Sequence, residues 1–198
     1  CRFLSGDQGK SVHVWDGSQG GYIADLHNGL NLTQLAVVQP DLVVVALGFN
    51  DAGGTYTPAQ FDTQLEGLIT VVRAQVADCP VLLVGYYNPR DAEVGWVTPD
   101  WSAYIDAMAD VAAGTFYVEL LDLSTTMPDT WTDTSGLYAD QVHPSDTGHA
   151  AIAGYVADRI ELGATQTVTV TRGVAPTVAT AHPAGTAVDV WHSATYTI

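Results

Sequence analysis

Two short, nearly continuous apolar runs constrain this chain more than any other feature: DLVVVAL (41–47) and PVLLVGYY (80–87). Neither shows the in–out alternation of a strand with one wet face. Each reads as a strand buried on both faces, as in the middle of a parallel sheet. Parallel neighbours need a long return crossing between them, and the intervening residues supply one. In TPAQFDTQLEGLITVVRAQV, Thr57 is placed as an N-cap with Pro58 at the first helical position. Phe61, Leu65, Leu68, Ile69, Val72 and Val76 then form a single apolar stripe.

The same alternation runs along the chain. SVHVW (11–15) reads as a strand, and GGYIADLHNGLNLTQLAV follows with Ile23, Leu26 and Leu30 at helical spacing, weakened by Gly29. Ser102 is placed to cap a helix bearing Ile105, Met108, Val111 and Ala112. TFYVELLDL (115–123) is a further strand, and a last helix after Pro144 carries Ile152, Val156 and Ile160. Strands alternating with helices predict an α/β domain with a parallel sheet covered on both faces. After ELGA the texture changes to strict alternation with turn residues and no helical period. The expected division is an α/β domain over 1–162 and a small β module over 163–198.

Hydrophobic residues make up 47% and charged residues 14%, a balance that can bury a core. With 22 acidic and 6 basic residues the formal charge is -16, which repels phosphate backbones and anionic headgroups. Nucleic acid is therefore not an expected partner. No apolar run reaches the roughly 18 residues that span a bilayer, so membrane insertion is not expected. No secretory signal is visible, and the first residue is Cys1, so the chain is read as a piece of something longer or a processed product. Cys1 and Cys79 are too few for a disulfide framework. The two readings are a Cys1–Cys79 pair and, favoured, an exposed Cys1 with a buried free Cys79.

In an open parallel sheet, ligands bind beyond the carboxyl ends of the strands. Three segments rich in chemistry fall there: DGSQGG (16–21), GFND (48–51) and DQVHP (140–144). Asp140 can accept the Nδ1 proton of His143, leaving Nε2 to act as general base and then general acid. Asn50 offers an amide donor and Gly20 an unobstructed backbone N–H. Two such donors make an oxyanion hole, worth roughly 3–4 kcal/mol each in other hydrolases. Each segment alone has a plainer reading: a helix-entry loop capped by Ser145 or Asp146, a turn, and a tight strand–helix connection. Their order along one sheet edge favours the hydrolytic reading.

The chain resembles the SGNH (GDSL-type) hydrolase family. SQGGYIADL is similar to that family's second block, with Gly20 at the oxyanion glycine. LGFND is similar to the third, with Asn50 as oxyanion asparagine and Gly48 as its turn glycine. YADQVHPSDTGHAAIA is similar to the fifth, with Asp140 and His143 as triad members. The likeness covers about residues 11–162. It implies a flavodoxin-like three-layer α/β/α fold and hydrolysis of esters, often acyl groups on glycans or lipids, with no cofactor.

One block departs from the pattern. The family's first block, a strand ending in Gly-Asp-Ser with the nucleophile, is not found. LSGDQG (4–9) has no strand before Ser5 and no room for a helix before residue 11, and Ser18 ends the second strand. The serine is therefore expected on a separate or upstream segment whose strand lies between 11–15 and 41–47. Trp96 and Trp101 fall on the catalytic edge, as platforms for sugar rings or as packed loop anchors. The acidic loop PDTWTDTSGLYAD lacks a calcium-loop pattern, and no metal is expected. Residues 163–198 resemble a β element of actinobacterial phage tail proteins, which implies an extracellular or virion setting with other tail subunits as partners. A glycan-binding module without a nucleophile and a purely structural tail subunit are the alternatives to an esterase.

Overall fold

The computed structural model describes residues 23–24, 32–54, 56–89 and 101–160. The chain separates into two units, Cys1–Leu162 and Gly163–Ile198. The second unit, the expected strand at 11–15 and most of the helix expected after it lie outside the described residues.

In the first unit a 3₁₀ turn, Leu32–Gln34, runs into α1 (Leu35–Val38). There follow β1 (Val43–Val45), α2 (Phe49–Gly54), α3 (Pro58–Gln75), β2 (Val81–Gly85), α4 (Ser102–Gly114), β3 (Val118–Asp122) and α5 (Asp146–Ile160). The strands form a parallel sheet in the order β1-β2-β3, with Val43 opposite Val81 and Val81 opposite Val118.

α3 forms where its signals place it. Thr57 Oγ1 accepts the Gln60 N–H, and the Gln60 side chain accepts the Thr57 N–H, closing a capping box ahead of Pro58. Its stripe Phe61, Leu65, Leu68, Ile69 and Val72 is buried against the sheet and α4. Burying each such side chain stabilises by roughly 1.5–3 kcal/mol, so Leu65→Ala alone would cost about 2–5 kcal/mol. Arg73, in the last turn of α3, donates to the carbonyls of Cys79, Phe116 and Tyr117, tying the entries of β2 and β3 together. Cys79 is a free thiol, 8% exposed, and burial pushes its pKa up.

Alternate residues of β2 face opposite layers. Val81 and Leu83 join the cluster built with α3 and α4. Leu82 and Val84 pack with Ile152, Tyr155, Val156 and Ile160 of α5. The result is three layers, helix–sheet–helix. α3 and α4 both lie on one face, so the chain must change face after β3. It does so through residues 123–145, which leave the carboxyl end of β3 and carry the DQVHP stretch across the sheet edge.

The strand expected at 41–47 is shorter than its apolar run and is not buried on both faces. Val44 is 46% exposed on the side where Leu82 and Val84 are buried. Among the described residues β1 pairs with β2 alone, and the α5 cluster reaches Leu42 but not Val44.

Candidate active site

The site builds up from the loop between β3 and α5. Asp140 Oδ1 accepts the backbone N–H groups of Val142, at 2.7 Å, and His143, at 2.6 Å. Its second oxygen, Oδ2, lies 2.8 Å from His143 Nδ1. One carboxylate thus shapes the turn with one oxygen and orients the imidazole with the other. These contacts hold the Asp140 carboxyl down at about 2, the backbone N–H of His143 contributing most, then that of Val142, then the His143 side chain. Asp140 is therefore an anion throughout the neutral range, ready to stabilise an imidazolium. The His143 side chain is 75% exposed and open to a reacting group.

Around this turn the chain pairs briefly with itself. Tyr138 and Pro144 form an antiparallel bridge, Ala139 N–H donates to His143 O at 2.9 Å, and Ser145 N–H donates to Leu137 O at 2.8 Å. Ser145 Oγ accepts the Gly148 N–H at 3.2 Å, so Ser145, more than Asp146, caps α5. His149 is exposed on the first turns of that helix. The acidic loop satisfies its carboxylates internally: Asp129 Oδ1 accepts from the Asn88 amide, and Asp133 from Ser135 and Leu137. Among the described residues no three His, Cys, Asp or Glu gather as a metal would require.

Asn50 sits in the first turn of α2, directly beyond β1, and is exposed on the same sheet edge. Gly48 makes that placement possible. Its φ of +119° suits glycine, and a Cβ there would lie 2.9 Å from the Trp101 ring. Next to Asn50, Asp51 is fully buried, and its Oδ1 accepts the Ala24 N–H at 3.0 Å. Burial raises its pKa. This contact ties the start of α2 to the segment just beyond Gly20.

The reading of Trp101 as a sugar platform is corrected. It is 3% exposed, stacks on Tyr104, meets Phe49 edge-on, and donates its indole N–H to Tyr86 O at 3.0 Å. The space left by Gly48 draws the ring inward, so Trp101 is a packed anchor beneath the site. Gly20, Trp96, Ser5 and Ser18 lie outside the described residues. The structure therefore brings Asn50, Asp140 and His143 to one edge and describes no nucleophile there. Asp51 and Tyr87 belong to the site's support; the sequence assigned neither a role, although Asp51 lies within GFND and Tyr87 follows β2 closely at that edge.

The sequence matches the family model described as GDSL-like lipase/acylhydrolase over residues 4–151. No curated protein matches the chain. Solved structures that it resembles include a carbohydrate esterase family 3 protein from Talaromyces cellulolyticus, with TM-score 0.57 and 20% identity over 71% of this chain and 67% of that one. A lipase/acylhydrolase from Enterococcus faecalis aligns with TM-score 0.54 and 22% identity over 71% of each chain. A family 3 carbohydrate esterase from Clostridium thermocellum aligns with TM-score 0.53 and 22% identity, over 70% of this chain and 64% of that one. At these identities the likeness is one of fold.

Proposed function

Because the chain belongs to the GDSL-like lipase/acylhydrolase family, we propose that it hydrolyses esters of acylated glycans or lipids, with His143 as general base and Asp140 as its orienting partner. The observation that carries the reading is the 2.8 Å contact between Asp140 Oδ2 and His143 Nδ1 on an otherwise exposed ring. That contact holds the proton on Nδ1 and leaves Nε2 free to take the proton of a serine hydroxyl. The serine Oγ adds to the ester carbonyl carbon, and the carbonyl oxygen becomes an oxyanion. Donors for it are the Asn50 amide and the Gly20 N–H. The oxyanion collapses, the bond to the alcohol breaks, and His143 returns its proton to the departing oxygen. Water then cleaves the acyl-serine by the same steps.

We place the serine at the end of a further parallel strand, from a separate or upstream segment, lying against the open side of β1. Support comes from the sequence, where no strand precedes Ser5 and Ser18 ends the strand expected at 11–15. The likeness of residues 163–198 to phage tail proteins supports a virion setting, with other tail subunits as partners and an acylated host-envelope glycan as substrate.

The test is p-nitrophenyl acetate hydrolysis by this chain together with the serine-bearing segment proposed for it. His143→Ala should lower kcat by roughly 10³-fold or more, and Asp140→Asn by about 10⁴-fold if its amide reverses the imidazole tautomer. Equal turnover by wild type and His143→Ala would reject the mechanism.

A further inference from the structure

We infer that Tyr87 is a positioning residue that sets the oxyanion side of the site against its acid–base side, an inference that rests on the esterase reading above. Tyr87 lies just beyond β2, the strand between those that deliver Asn50 and His143. It is 1% exposed. Its ring meets Phe49 edge-on, centroids 5.5 Å apart, and Phe49 is the neighbour of Asn50. On another side it packs against Tyr138 at 4.5 Å. Its hydroxyl donates to Val142 O at 2.5 Å, and Val142 is the neighbour of His143. One rigid, buried ring therefore reaches from the residue before Asn50 to the residue before His143.

The turn itself explains why this bond matters. Val142 N–H and His143 N–H go to Asp140, and His143 O takes the Ala139 N–H. All of these bonds close within residues 139–143, so they make the turn rigid without fixing where it sits. Among the described residues, the Tyr87 hydroxyl makes the one hydrogen bond that reaches residues 139–143 from outside them. Burial pushes the Tyr87 hydroxyl pKa well up, so the proton stays in place at any working pH. Removing the hydroxyl frees a preassembled Asp–His pair to drift relative to Asn50. Transition-state stabilisation then suffers more than substrate binding, because a misplacement of about 1 Å can cost on the order of 10²-fold in rate.

The experiment is Tyr87→Phe in the same esterase assay, read by steady-state kinetics and by amide hydrogen exchange. We expect kcat to fall about 10- to 100-fold with KM within about twofold. The amides of Val142 and His143 should exchange at least about 10-fold faster, while those of Leu83 and Val84 in β2 keep their protection. Unchanged kcat with unchanged exchange at 142–143 would overturn the inference. So would an equal rise in exchange at Leu83, which marks Tyr87 as a general core residue. If His143→Ala retains wild-type turnover, the esterase reading fails. The exchange measurement then still decides whether the hydroxyl holds the turn.

Discussion

Gly148→Ala should be the most damaging single methyl in α5. An alanine Cβ there would lie 2.0 Å from Leu137 O and 2.9 Å from Pro144 Cβ. The first contact is with backbone, so no rotamer change relieves it, and helix and loop must part by about 1 Å or more to restore van der Waals separation. That movement stretches two bonds that join them, Ser145 N–H to Leu137 O at 2.8 Å and Ser145 Oγ–H to Gly136 O at 2.6 Å. Overpacking costs about 1–3 kcal/mol, and each weakened hydrogen bond about 1 kcal/mol. Alanine's advantage over glycine inside a helix returns only about 1 kcal/mol. The net expectation is a loss of about 2–4 kcal/mol. Gly154 in the same helix is the control: a Cβ there meets nothing within 4 Å, so Gly154→Ala should stabilise by up to about 1 kcal/mol. Equilibrium urea unfolding of the full-length protein measures both. A Gly148→Ala protein as stable as wild type would refute the close approach of helix and loop.

Two further outcomes follow from the charges. The Asp140 carboxyl is held at about 2, below its ordinary value, so the stability it contributes is present above about pH 4 and is lost as pH falls through about 2. The amide shift of His143, followed by NMR, should therefore titrate near 2, and a midpoint near the ordinary value of about 3.9 would contradict the bonding described. Glu119→Gln removes a 2.7 Å pair with Arg159 between β3 and α5, but both side chains are largely exposed, so urea unfolding should show a loss below about 1 kcal/mol that shrinks with added salt.

What could be read in advance depended on how far apart the interacting residues lie in the chain. The Asp140–His143 pair spans three residues and the Thr57 capping box also spans three, so both were legible. Tyr87 meets Val142 across 55 residues and Asp51 meets Ala24 across 27, and no local pattern announces such contacts. The apolar stripe of α3 marks its buried face because helical periodicity fixes direction. Trp101 carried no such directional cue, and its inward packing depends on the space left by Gly48, a residue far from it in sequence. The run is apolar from 42 to 47, yet burial requires covering layers that a strand's own residues do not specify. Gly20, Trp96 and the strand expected at 11–15 lie outside the described residues.

The short span of the Asp140–His143 pair also bears on how the site assembles as the chain folds. Loop-closure entropy rises with the length of chain enclosed, by about 0.6 kcal/mol per doubling for flexible loops. A contact across three residues escapes nearly all of that penalty, and local turns form far faster than a parallel sheet with its long crossings. His143 and Asp140 should therefore meet early, before β1, β2 and β3 are in register. The hydroxyl proposed to react there would find an imidazole already oriented by Asp140, and only its own long-range placement would be left for the completed fold to settle.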